Sequence, residues 1–126
     1  MIVKMRLDTI SLKYLFIRIQ NMYTLFAGKI VTSELPSEWG ETCPNGGRNL
    51  CKGSAMKYFC KNKSYKEIKY FGDGKNDLCP ALSLTENDKL YPRKDHYLSK
   101  LLATGDYEIK AKILPWNGGS DIMITL

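Results

Sequence analysis

The amino-acid sequence predicts an all-β domain with little helix. Three observations carry that expectation: strict alternation of apolar and polar residues near the C-terminus, a second alternating run near the N-terminus, and four cysteines set among turn residues in between. With 126 residues, 44% hydrophobic and 25% charged, the chain has the size and composition of one folded domain, 1–126.

Taken in order, residues 3–9 place Val3, Met5 and Leu7 on one side and Lys4, Arg6 and Asp8 on the other, the period of a half-buried strand. Residues 12–19 are more continuously apolar and suit a buried strand or a short helix. A further apolar piece, 23–31, runs into Leu35-Pro36-Ser37, a loop or edge. The stretch 39–53 is turn-rich, with Pro44-Asn45-Gly46-Gly47 at its centre. Five lysines between Cys60 and Cys79 are interleaved with Tyr65, Ile68, Tyr70 and Phe71 ahead of a turn signal, Gly72-Asp73-Gly74, which reads as a basic, aromatic rim or hairpin. Residues 97–103 are the one stretch expected to wind into a helical turn. In 105–114, Tyr107, Ile109, Ala111 and Ile113 alternate with Glu108, Lys110 and Lys112, an amphipathic strand. Asn117-Gly118-Gly119 then turns the chain into Ile122, Ile124 and Leu126, closing a β-hairpin.

Cys43, Cys51, Cys60 and Cys79 form an even set, which reads as a disulfide framework with three ways to pair. The intervals hold seven, eight and eighteen residues, with no C-x-x-C hook and only His96 as a histidine, so disulfides are favoured over zinc. Asn62-Lys63-Ser64 is a glycosylation acceptor pattern at Asn62. Lys4, Arg6, Lys13 and Arg18 interrupt the apolar stretches before Asn21, so neither a clean signal peptide nor a membrane span is read there. The expected compartment, the secreted space or the lysosomal or endosomal lumen, follows from the cysteines.

No catalytic residue, metal or cofactor is expected. The sequence has no G-x-S-x-G, H-E-x-x-H or P-loop pattern. His96 sits in a polar run, and Glu86 with Asp88 reads as solvated surface. The net charge of +6 favours anionic partners, and the lysine-rich rim could serve a nucleic acid, but a disulfide-bonded chain without an aromatic RNA-binding motif argues against that partner.

The run CPNGGRNLCKGSAMKYFC, the later Cys79-Pro80 and the phrase Thr104-Gly105-Asp106-Tyr107-Glu108-Ile109 together resemble the second half of the ML lipid-recognition family. That resemblance covers residues 43–126, with residues 1–40 matching poorly. It implies an immunoglobulin-like β-sandwich opened into a cup with an apolar cavity, and disulfides joining Cys43 to Cys51 and Cys60 to Cys79. It further implies a non-catalytic protein that binds and presents or transfers a lipid, glycolipid or sterol. Phe59, Leu98, Leu101, Leu102, Tyr107, Ile109, Ile113 and Ile124 would meet the lipid, and Lys61, Lys63, Lys94 and Lys100 its anionic headgroup or the membrane surface. A lipid-processing enzyme would be a further partner, and nucleic acid would not. The alternative is a secreted interaction or defence protein that meets an anionic partner through the lysine rim.

Overall fold

The fold is known from a computed structural model that describes residues 2–6, 12–18, 23–26, 29–32, 43–45, 51–61 and 65–125. Among the described residues seven strands, β1 (Ile2–Arg6), β2 (Leu12–Arg18), β3 (Tyr23–Phe26), β4 (Lys29–Thr32), β5 (Glu67–Gly72), β6 (Lys89–Pro92) and β7 (Lys112–Ile113), form one sheet in the order β4-β3-β2-β1-β5-β6-β7. Four α-helices among the described residues accompany it: α1 (Lys52–Cys60), α2 (Leu78–Leu82), α3 (Tyr97–Ala103) and α4 (Gly119–Thr125).

The sheet has two halves of different character. The first four strands are successive antiparallel neighbours, and β1 also runs antiparallel to β5, pairing Val3 with Tyr70. From β5 onward the pairing is parallel, with Tyr70 opposite Leu90 and Leu90 opposite Ile113. Parallel neighbours need a crossover that returns the chain to the starting edge, and here α2 lies between β5 and β6 and α3 between β6 and β7. The expected all-β sandwich is thus corrected to an α/β arrangement built on a small three-stranded parallel sheet with helices.

Burial explains why parallel pairing is stable here. Tyr70, Phe71 and Gly72 at the end of β5, and Leu90, Tyr91 and Pro92 at the end of β6, are buried consecutively, without alternation. Strands covered on both faces show that continuous burial. Tyr70 and Leu90 join Met56, Leu78, Ala81, Leu84, Leu98 and Ala111 in one core, against which Leu101, Leu102, Tyr107 and Ile109 pack. Phe71 and Tyr91, paired across the two strands, stack with ring centroids 4.4 Å apart.

Two C-terminal expectations are corrected. Between residues 105 and 114 only Lys112–Ile113 pairs as strand. Burial does alternate, with Tyr107 and Ile109 half-buried and Ala111 buried beside exposed Glu108 and Lys110, but alternation reports which side chains meet the core, not where the backbone hydrogen bonds go. The closing hairpin is replaced by α4, whose first turn is held by the Asp121 carboxylate accepting from the Asn117 and Gly118 N–H groups at 2.8 and 3.3 Å. The strand read at 3–9 is present as β1 over its described residues, the stretch 12–19, open between strand and short helix, forms β2, and α3 coincides with the helical turn read at 97–103.

Candidate active site at the carboxyl edge of the parallel strands

The loop leaving β5 has the sequence Gly72-Asp73-Gly74-Lys75-Asn76-Asp77 and ends in a short 3-10 turn, Lys75–Asp77, that leads straight into α2. Asp77 organises it. Its side chain is 1% exposed, and both carboxylate oxygens are saturated. One accepts from Lys52 Nζ at 2.6 Å and from the Tyr70 hydroxyl at 2.7 Å. The other accepts from the backbone N–H groups of Asp73 at 2.9 Å and Gly74 at 3.0 Å. Burial alone would push the Asp77 carboxyl up, but the adjacent Lys52 ammonium and these donors prevail and hold it below the ordinary value. Burial and the neighbouring Asp77 charge raise the Tyr70 hydroxyl well above its ordinary value, so it stays a donor.

Gly72 permits this closure. A Cβ at Gly72 would lie 2.7 Å from Asp77 Cβ, closer than two carbons can approach. The loop carbonyls face the neighbouring segments: Gly72 accepts from Arg93 N–H at 2.9 Å and Asp73 from Leu98 N–H at 3.0 Å, tying the end of β6 and the start of α3 to the loop. Beyond β6, Arg93 forms a parallel bridge to Trp116, with its guanidinium 5.3 Å from that ring, and Lys94 N–H donates to the Trp116 carbonyl at 2.8 Å. The exposed carboxylate of Asp73, half-exposed Arg93 and exposed Lys94 therefore follow the carboxyl ends of adjacent parallel strands. In open α/β sheets that edge is where ligands bind.

A sequence profile of the family described as Putative Phosphatase matches residues 2–126. The chain belongs to that family. It is 34% identical over 95 residues to Probable phosphatase phospho1 of Danio rerio, covering 67% of this chain and 33% of that protein. Over 91 residues it is 34% identical to a thiamine phosphate phosphatase-like protein of Arabidopsis thaliana, covering 69% and 36%. Over 90 residues it is 32% identical to the pyridoxal phosphate phosphatase PHOSPHO2 of Mus musculus, covering 65% and 37%. The chain thus spans about a third of the length of the curated relatives it matches. No solved structure matches it.

Membership of a phosphatase family overturns the resemblance to the ML lipid-recognition family, and with it the expectation of a non-catalytic lipid carrier or secreted binding protein. Leu98 is fully buried in the core, and Leu101, Leu102, Tyr107 and Ile109 pack against that core, so the side chains read as a lipid rim and cavity wall fill an α/β interior. Ile113 is exposed. Phe59 lies in α1 and Ile124 in α4, their side chains outside the described set. Lys61 is exposed at the end of α1, Lys100 is exposed on α3, and Lys94 stands at the candidate site. Asn62 and Lys63 lie outside the described residues.

Cys43, Cys51 and Cys79 are free thiols, so the expected pairing of Cys43 with Cys51 and of Cys60 with Cys79 is not formed. Cys79 Sγ lies 3.4 Å from Cys43 Sγ and 3.3 Å from Cys51 Sγ, so three sulfurs meet behind the Asp77 loop. Cys60, at the other end of α1, is roughly 13 Å along the helix axis from Cys51. Asp73, Asp77 and Lys52 were not singled out by sequence. The signal that marks them is a short strand ending in the apolar pair Tyr70-Phe71, running into Gly-Asp-Gly and then a helical segment, the strand-loop-helix unit that builds sites at parallel-sheet edges.

Proposed function

We propose that the chain carries the phosphate-handling loop of a phosphatase acting on small phosphorylated molecules. One observation carries the reading: an exposed carboxylate, Asp73, held at the carboxyl end of a parallel strand by a neighbouring carboxylate, Asp77, whose own oxygens are fully occupied. Names of the relatives include pyridoxal phosphate, thiamine phosphate and inorganic pyrophosphate, whose common element is the phosphoryl group.

The donor chemistry suits a hard divalent cation such as Mg2+. That ion is held by one or two carboxylates and completes its shell with water and phosphate oxygens, so the single free carboxylate of Asp73 suffices as a protein ligand, whereas Asp77 is already engaged. When bound, such an ion neutralises charge on a phosphoryl oxygen. Asp77 and Lys52 position the loop, and the cationic Arg93 and Lys94 follow β6 at the same edge, where they would favour an anionic substrate.

The test is phosphate release from p-nitrophenyl phosphate and pyridoxal phosphate by the full chain with and without Mg2+. Expected is Mg2+-dependent release that Asp73→Asn lowers by at least about a hundredfold, the scale of losing one stabilising group, while the thermal midpoint stays put. Release at an undiminished rate by Asp73→Asn, or no release by the unaltered chain, overturns the reading.

A further inference from the structure

The three converging thiols stand apart from the phosphate-handling loop and are not used by it. Cys51, 1% exposed, is the residue preceding α1, Cys79 is the second residue of α2, and half-buried Cys43 lies in a turn segment. Their sulfurs all fall within 4.8 Å of one another. Tetrahedral zinc with Zn–S bonds of about 2.3 Å requires sulfurs about 3.8 Å apart. The contacts of 3.3 and 3.4 Å and the outer limit of 4.8 Å straddle that spacing, so movements of a few tenths of an ångström to about one ångström bring the three onto one ion.

Two features show a backbone shaped to bring sulfur together. A Cβ on Gly53 would lie 2.5 Å from Cys79 Sγ, so only glycine in the first turn of α1 lets α2 present that sulfur there. The Ser54 N–H at the same turn points at Cys51 Sγ at 3.4 Å and favours a thiolate. Linear spacing had argued against zinc because no two cysteines form a C-x-x-C hook. The fold supplies the convergence that spacing lacks, by packing α1 against α2.

We propose that Cys43, Cys51 and Cys79 form a binding site for a thiophilic d10 cation, zinc or copper(I), which braces the turn at residue 43 and the starts of α1 and α2. Three thiolates leave one coordination position for water or an exogenous ligand. The brace lies next to the phosphate-handling loop in sequence, since Cys51 precedes Lys52 and Cys79 follows Asp77 by two residues. It does not depend on the loop's proposed activity.

The probes are Zn2+ and Co2+ added to the reduced, chelator-treated full chain. Expected are one Zn2+ per chain against a competing chromophoric chelator, a thiolate-to-cobalt charge-transfer band with Co2+, and protection of three thiols from alkylation while Cys60 stays reactive. Cys43→Ser, a change at a half-buried turn position, is expected to weaken Zn2+ binding by at least about tenfold, and Cys60→Ser to leave it unchanged. Thiol protection in the unaltered chain provides a readout that no misfolded variant can confuse. Substoichiometric binding, binding that survives both Cys43→Ser and Cys79→Ser, or protection of a set of thiols that includes Cys60 overturns the proposal.

Discussion

Lys52 Nζ and Asp77 Oδ1 are 2.6 Å apart although 25 residues separate them in the chain, and both side chains are largely withdrawn from solvent. Their pairing fixes the first turn of α1 to the loop that leaves β5. Because Asp77 also bonds two loop N–H groups, one ion pair holds both a helix and a backbone conformation. Removing one partner of a buried pair strands the other charge, so Lys52→Met and Asp77→Asn should each cost about 3 kcal/mol. The double variant should lose less than the sum, because no unpaired charge remains. Urea unfolding of the four proteins measures this, and additive losses would show that the two side chains act separately.

Acid should act through the same carboxylate. The folded-state pKa of Asp77 is lowered from its ordinary 3.8, so the folded state binds the proton less readily than the unfolded chain does. Its stabilising contribution is therefore complete above the ordinary value and is lost as pH falls from about 3.8 through the lower folded value. Unfolding free energy measured from pH 6 downward should fall more steeply for the unaltered chain than for Asp77→Asn. Parallel curves would mean that some other group carries the acid sensitivity.

How far the sequence displayed this arrangement can be judged from particular residues. Val3 and Met5 marked β1 because they alternate with Lys4 and Arg6 at the two-residue period of a strand. Tyr70 and Phe71 lie in a strand covered on both faces, and such a run carries no period to separate it from a hairpin arm. Gly72-Asp73-Gly74 was legible as a turn signal, and there β5 ends and the loop to the 3-10 turn begins. What makes it a candidate site is the parallel strand before it and a lysine 25 residues upstream, and neither is local. The even cysteine count suggested two pairs, yet three thiols meet and Cys60 lies at the far end of α1, because helical rise rather than chain interval sets the distance.

Three glycines should respond differently to a single added methyl. Ala is favoured over Gly inside a helix by about 1 kcal/mol, but at Gly53 the new Cβ would meet Cys79 Sγ at 2.5 Å with the Cys79 carbonyl carbon at 3.2 Å. At Gly72 it would meet Asp77 Cβ at 2.7 Å. Overpacking of this kind costs about 1–3 kcal/mol, so Gly53→Ala and Gly72→Ala should destabilise the fold. Gly119, the first residue of α4, has nothing within 4 Å of its Cβ position, and Gly119→Ala should be neutral or slightly stabilising. Thermal midpoints rank the three, and a drop at Gly119→Ala as large as at Gly53→Ala would contradict the packing argument.

The thiols should separate by exposure and ionisation when no metal is present. Burial opposes ionisation of Cys51, but the Ser54 N–H and the neighbouring sulfurs prevail and bring its pKa to about 7, which taken alone would make it the most reactive thiol. It is almost wholly enclosed, however, and an alkylating reagent must reach the sulfur to react. Cys79 is more accessible, but burial and its two sulfur neighbours push it up to about 12, so it remains protonated at neutral pH. Half-buried Cys43 and Cys60 should therefore react first with iodoacetamide at pH 7.5, while Cys51 and Cys79 lag, and all four should react at once in denaturant. Peptide mapping of the alkylated sites over time tests the order. Fastest labelling at Cys51 in the folded chain would mean that the first turn of α1 opens readily and that ionisation, rather than access, governs its chemistry.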